Sequence, residues 1–398
     1  MATIAWLVPG LLEGSGGHRT ILQHADHLQR SGHECILYME NKGAESSHRL
    51  KSEINRIFGF EFSDVRSSWS DIEPADMIFA TIWYSAKVVR ALPFPCTKCY
   101  FVQDYEAWFN PMGDGFLLAE NSYCYGLHPI TIGRWLPAKL NQQHRVLANY
   151  FDFCADLNIY KPLPAVEKER AICFIYQPEK PRRCARIGLE ALGIVKRHLP
   201  DVTIYLYGSR EKQNIWFEHT NLGLIDLKSC NELYNRCQVG LCISASNPSR
   251  IPFEMMAAGL PVVEIHRENT LYDFPDDAML LCEQTPEAIA TGLMELLSSS
   301  GKAAAMGQRC IEFMKSRPIN QGLSQFLDTV TELLAGDPVS PTEPTPLYRQ
   351  EAVKADLQLC PADKSQSQAH DIGRLAFLPP FPRKVARFIY HRLRRALL

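Results

Sequence analysis

The sequence predicts an α/β protein built from two doubly wound, parallel-sheet domains. Short apolar runs of strand length alternate with segments at helical spacing along most of the chain. Several of those strands run straight into loops rich in Gly, Pro or charge. A length of 398 residues provides for two cores and a tail.

Composition narrows the function classes. A net charge of -2 leaves no basic excess for a nucleic-acid binder. The 13 cysteines are odd in number and scattered without two C-x-x-C units, so neither a disulfide framework nor a zinc site is indicated and a reducing cytoplasm is expected. Met1–Gly10 is apolar but lacks a basic flank and a cleavage pattern, so it reads as a first buried strand. No apolar run reaches the roughly 20 residues of a spanning helix, which leaves only peripheral membrane contact.

In chain order, Ile4–Val8 is a buried-strand candidate, Gly14, Gly16 and Gly17 form a loop, and Thr20–Gln29 takes helical spacing. Glycines there allow close backbone approach to a ligand, and equally suit a plain tight turn. Gly32–Met39, Asp76–Thr81 and Lys98–Val102 read as further strands. Asp104, Tyr105 and Glu106 follow the last of these, with Trp108 and Phe109 beyond. An acidic, aromatic loop suits a sugar, whose apolar face stacks on rings while carboxylates accept its hydroxyls; the rings also suit ordinary packing. Tyr123–Leu136 holds a strand and a helix start, and Asn149–Asp152 closes the domain.

The second domain opens with the strand Arg170–Tyr176, the loop Gln177–Arg183 and an amphipathic helix from Cys184 to Arg197. Lys180, Arg182 and Arg183 sit at a helix N-terminus, where the dipole prefers anions, so a bound diphosphate would complete the arrangement. A solvated basic loop is the alternative. Val202–Tyr207 is a strand ending in Gly208 and Ser209, and a helix follows at Ser229–Cys237. Val239–Ser244 then leads into Asn247-Pro-Ser-Arg-Ile-Pro-Phe-Glu254, a strand, loop and helix that deliver Arg250 and Glu254 to a strand's carboxyl end. The helix starts near Pro252 and stops at Gly259. Met279–Cys282 is a strand, and helices are expected at Thr285–Leu297, about 303–315 and about 320–334. Gly336–Pro346 is proline-rich and polar. Residues 374–398 carry seven Arg or Lys and no Asp or Glu, with Val385, Ile389, Leu393 and Leu397 four apart. Such a basic amphipathic helix suits an anionic membrane surface or an acidic protein patch.

The stretch Phe253-Glu-Met-Met-Ala-Ala-Gly-Leu-Pro-Val-Val263 resembles the nucleotide-binding signature of family 4 GT-B glycosyltransferases. That family carries two glutamates eight positions apart; Glu254 matches the second, and Ser246 stands at the first. Phe101-Val-Gln-Asp-Tyr-Glu106 and Gly14-Ser-Gly-Gly-His-Arg19 resemble L-rhamnosyltransferases of rhamnan and S-layer glycan synthesis. The resemblance implies a GT-B fold of two Rossmann-like domains facing a cleft. The acceptor domain would span 1–165, the nucleotide-sugar domain 166–335, a linker 336–373 and the basic tail 374–398. The last globular helix would cross back onto the first domain. Implied roles are diphosphate stabilisation by Arg250, Lys180, Arg182 and Arg183, and ribose binding by Glu254. Gly208, Ser209 and Ser249 would join the nucleotide-sugar site, and Gly16, Gly17, His18, Asp104, Tyr105 and Glu106 would line the acceptor side.

The expected activity is retaining transfer without a metal or other cofactor. L-rhamnose would pass from dTDP-L-rhamnose to a growing surface polysaccharide or lipid-linked glycan. A UDP- or GDP-sugar donor, and an inactive scaffold on the same fold, are the alternatives. Ser246 is the residue that favours the scaffold.

Overall fold

The first sheet contains β1 (Thr3–Val8), β2 (Glu34–Met39), β3 (Asp64–Arg66), β4 (Met77–Ala80), β5 (Thr97–Val102), β6 (His128–Ile132) and β7 (Asn149–Phe151). All run parallel in the order β3-β2-β1-β4-β5-β6-β7. The intervening helices are α1 (Gly16–Arg30), α2 (Ser47–Phe58), α3 (Trp83–Arg90), α4 (Asp114–Tyr123) and α5 (Trp135–His144). This computed structural model describes residues 1–356 apart from 41–44, 212–213, 337–340 and 342. The basic tail 374–398 and part of the 336–373 stretch therefore lie outside the described residues.

The second sheet contains β8 (Ala171–Ile175), β9 (Thr203–Tyr207), β10 (Thr220–Asn221), β11 (Val239–Leu241), β12 (Val262–Ile265) and β13 (Met279–Cys282). They are again parallel, in the order β10-β9-β8-β11-β12-β13. Its helices are α6 (Ala185–His198), α7 (Leu227–Arg236), α8 (Ile251–Ala257), α9 (Pro286–Ser298) and α10 (Ser300–Lys315), followed by α11 (Ile319–Ala335). Both sheets fall within one compact unit, Met1–Ala355.

Helices cover both faces of each sheet, so the central strands are apolar throughout instead of alternating. Residues 4–8 of β1 and 77–80 of β4 are fully buried. Where the sequence places a proline after a cap, the helix begins: Thr285 Oγ1 accepts the Ala288 N–H, with Pro286 at the first helical position. Helix α8 ends as the glycine beyond it requires, with Gly259 at φ 77°.

α11 leaves the second sheet and packs on the first. Phe326 lies between 5.5 and 6.0 Å from the rings of Trp6, Phe79, Phe101 and Phe151. The approach is close: a Cβ on Gly322 would stand 3.2 Å from both the Asp152 carbonyl and Cys154 Sγ. The chain then returns. Leu347 and Tyr348 N–H groups donate to the Leu271 carbonyl at 2.9 Å, and Val353 pairs with Leu281 and Glu283 beside β13 at 2.9 Å. Part of the expected linker is thus packed against the second sheet, with Tyr348 buried and its hydroxyl accepting from Leu281 N–H. A single aromatic among prolines carries no periodicity that would announce this. Strands β3 and β10, three and two residues long, are too short for a period-2 signal and were not expected either.

Among the described residues no helix is long and apolar enough to cross a membrane, and no group of three or more His, Cys, Asp or Glu side chains is placed to hold a metal. The described cysteines are unpaired.

Candidate functional site

In each sheet the strand order reverses once, between β1 and β4 in the first and between β8 and β11 in the second. Loops at the carboxyl ends of strands flanking such a reversal diverge and leave a crevice. The sequence-selected residues Lys180–Arg183 leave β8, and Ser246–Arg250 leave β11. The two basic loops are therefore neighbours across one crevice, which strand order alone brings about.

The contacts there are specific. Arg183 Nη1 donates to Ser244 Oγ at 2.6 Å, and Ala245 N–H donates to the Arg182 carbonyl at 2.9 Å, so the two loops are tied together. Asn269 Nδ2 donates to the Ser244 carbonyl at 2.8 Å and also to the Ser246 carbonyl. Below them Glu264, a carboxylate in an otherwise apolar strand, accepts Ser244 N–H and Ile265 N–H on one oxygen at 2.9 Å. Burial pushes its carboxyl up to about 8. Buried polar atoms around these loops that have no hydrogen-bond partner include Nε of Arg182 and of Arg183, Oε2 of Glu264, and Oδ1 of Asn247 and of Asn269. Burial lowers the pKa of Lys180 and Arg182, most of all through lost solvation. Half-buried cations with incompletely bonded guanidinium groups are what a diphosphate would satisfy.

A second cluster forms at α8. Glu254 is flanked by Arg250, Tyr160 and, from the first lobe, Arg19. Burial raises the Glu254 carboxyl while those three groups pull it down. Arg250 Nη1 reaches across to Gln23 Oε1 of α1 at 3.0 Å. Ser249 Oγ lies 3.8 Å from Cys242 Sγ. Gly208 takes φ 100° where a Cβ would meet Ile175 Cδ1 at 2.4 Å, so its glycine is required by the backbone. Ser209 Oγ, in the loop after β9, donates to Glu179 Oε2 of the β8 loop at 3.0 Å, which ties the two loops together.

The residues expected on the acceptor side divide. Tyr105 is fully buried, its hydroxyl 2.8 Å from Glu120 Oε1 and 2.8 Å from His144 Nε2. Glu106 turns inward as well, accepting Trp83 N–H at 2.6 Å and the Tyr100 hydroxyl at 3.1 Å, with burial pushing its carboxyl up to about 8. Both support the loop from below and present nothing to a ligand. His18 spends both ring nitrogens inside its own lobe, on Ser15 Oγ at 2.9 Å and the Pro9 carbonyl at 3.3 Å. Gly16 has open space above it, and a Cβ on Gly17 would touch the Gln103 side chain at 3.6 Å. Asp104 behaves differently. Its Oδ2 accepts from Ser246 Oγ at 2.9 Å and its Oδ1 accepts the N–H of Asn247 at 2.8 Å. The first lobe thus places a carboxylate on the basic loops of the second, with Arg182 Nε 3.9 Å away and the Arg182 guanidinium 4.5 Å over the Phe109 ring.

Sequence reasoning passed over Asn247, Asn269, Tyr160, Arg19 and Glu264 as functional groups. A charged residue inside the apolar run Val262-Val-Glu-Ile265 was a readable signal; the other four needed the tertiary fold.

Comparison with known proteins fits this architecture. A sucrose-phosphate synthase from Thermosynechococcus elongatus superposes with TM-score 0.64 at 14% identity, covering 85% of this chain and 100% of that one. Anabaena HepE, solved with UDP and glucose, gives TM-score 0.62 at 14% identity over 82% of this chain and 99% of its own. The fold is GT-B. The family description "WsaF, C-terminal domain" matches residues 170–294, which include β8 through most of α9 and both basic loops. The O-antigen biosynthesis protein RfbC of Myxococcus xanthus is 28% identical over 323 residues, 78% of this chain. The chain spans only 25% of the length of that relative.

Proposed function

We propose that this GT-B chain is a nucleotide-sugar-dependent hexosyltransferase of surface-polysaccharide synthesis, working with retention and without a metal, with dTDP-L-rhamnose as donor. The observation that carries the reading is the pair of buried guanidinium Nε groups, Arg182 and Arg183, left without partners where the loops after β8 and β11 meet. The similarity of residues 170–294 to the WsaF C-terminal domain and of 323 residues to RfbC supports a polysaccharide acceptor.

In this reading Lys180, Arg182, Arg183 and Arg250 meet the diphosphate, and Glu254 accepts the ribose hydroxyls. The acceptor oxygen bonds to the anomeric carbon on the face the diphosphate leaves. The bond from that carbon to the phosphate oxygen breaks, and the acceptor proton passes to the departing diphosphate. Charge develops on the leaving oxygen, so preorganised cations lower the barrier without an enzymic nucleophile. The alternative, an inactive scaffold, draws on Ser246 standing where family 4 has a carboxylate.

Thermal stabilisation by dTDP, UDP and GDP, alone and as sugar conjugates, tests the reading in the presence of EDTA. At about 100 times its Kd a ligand of the folded state adds about 2.7 kcal/mol. Selective stabilisation by dTDP and dTDP-L-rhamnose is expected, and silence toward all of them removes the proposal. Glu254→Ala is expected to lower kcat/KM at least tenfold with Tm little changed. Wild-type kinetics in that variant would take Glu254 out of the site.

A further inference from the structure

We propose that Asp104, reaching over from the first lobe, is the carboxylate that holds a hydroxyl of the donor sugar, in the place left open by Ser246. The inference rests on the nucleotide-sugar reading above, and it moves Asp104 from the acceptor side to the donor. Ser246 and Asn247 are each 2% exposed and Asp104 is 8% exposed, so their contacts are not a surface accident.

The two oxygens of Asp104 are unequal. Oδ1 is fully used, accepting the Tyr105 and Asn247 N–H groups at 2.8 Å each. Oδ2 accepts one hydroxyl, that of Ser246, and Arg182 Nε stands beyond hydrogen-bond reach at 3.9 Å. A carboxylate oxygen accepts two hydrogen bonds, so Oδ2 has one position open. Around it Oδ1 of Asn247 and of Asn269 are buried acceptors lacking donors, and Nε of Arg182 and of Arg183 are donors lacking acceptors. Acceptors in want of donors match sugar hydroxyls, and the guanidinium groups match phosphate oxygens. A nucleotide sugar carries both kinds of group across one bond. Serine at 246 is also short enough to leave room for a carboxylate from the opposite lobe; a glutamate there would set two carboxylates against each other.

Asp104→Asn separates this role from simple bridging. The amide oxygen can still accept both backbone N–H groups, and its NH2 can donate to Ser246 Oγ, so the contact between lobes survives. What disappears is the acceptor for a sugar hydroxyl. Binding of dTDP, dTDP-L-rhamnose, UDP and UDP-glucose to wild type and variant is measured by calorimetry, alongside Tm. The expected result is that Asp104→Asn weakens the sugar conjugate about tenfold or more while the bare diphosphate changes less than about twofold. A swap, Asp104→Ala with Ser246→Glu, is expected to restore part of the conjugate's advantage. Equal weakening of diphosphate and conjugate, or no change in either, overturns the assignment. Failure of wild type to bind any of the four defeats the nucleotide-sugar reading itself, which keeps the two failures apart.

Discussion

Two buried aspartates cross between the lobes in opposite directions, and they are spent differently. Asp273 belongs to the second lobe and reaches back to the start of α5, accepting Arg134 N–H at 2.9 Å and Trp135 N–H at 3.4 Å. It is wholly buried, both oxygens occupied by backbone of the partner lobe. Asp104 belongs to the first lobe and reaches the β11 loop, but one of its oxygens accepts only a hydroxyl, with the Arg182 guanidinium ion-paired to it at 3.9 Å without a hydrogen bond. The same residue type, buried in both cases, thus yields a fixed clasp in one and an incompletely bonded acceptor beside guanidinium Nε atoms without hydrogen-bond partners in the other. Function follows the unused valence, not the presence of the charge.

The comparison breaks most readily at Asp273. Asp273→Ala strips two buried N–H groups of their acceptor, and a loss of about 2–4 kcal/mol in unfolding free energy by urea titration is expected. The ratio of conjugate to diphosphate affinity should stay as in wild type. A changed ratio would place Asp273 in the ligand site and erase the contrast with Asp104.

A finer test uses pH. Burial pushes the Asp273 carboxyl up to about 6, from a usual 3.8, with Arg134 N–H and Arg317 opposing. Between those values the folded state keeps a proton that the unfolded state releases. The residue's contribution to stability therefore falls as pH rises through that window, by at most about 1.4 kcal/mol per pH unit. Asp273→Asn lacks the titration. Its stability relative to wild type should rise from pH 4 to pH 6 and then level off, and a flat difference would mean that the clasp is ionised throughout.

The smallest effect is expected at the rim. Lys139 and Glu268 join the lobes at 2.9 Å, but the Glu268 side chain is 48% exposed. Solvent screens such a pair, so Glu268→Gln should change unfolding free energy by less than about 1 kcal/mol. A loss as large as that of Asp273→Ala would show that surface charge, and not the buried aspartates, joins the lobes.

Much of the fold was legible because its signals are local. Apolar runs such as Ile4–Val8 and Arg170–Tyr176 became β1 and β8, and a Thr-Pro-Glu start and a Gly stop fixed helix ends at Thr285 and Gly259. The basic loop at Lys180–Arg183 and the Arg250–Glu254 turn were found the same way, since charge beside a strand end is a feature of a few consecutive residues. The acceptor-side residues were harder. Asp104, Tyr105 and Glu106 are adjacent in sequence, yet only the first leaves its lobe, because where a side chain turns depends on what packs around it. Glu120, His144, Trp83 and Tyr100 claim Tyr105 and Glu106.

By itself, then, the sequence determined two parallel α/β lobes, a helical C-terminal end to them and the identity of the cationic loops, since periodicity, caps and charge are properties of neighbouring residues; that the last helix crosses back was implied only by the family resemblance. Tertiary structure alone decided that β8 and β11 lie side by side, that residues 346–353 return to the second sheet, and that Asp104 meets Ser246. Each joins residues far apart in the chain, 142 positions in the last case, through packing that no local pattern encodes.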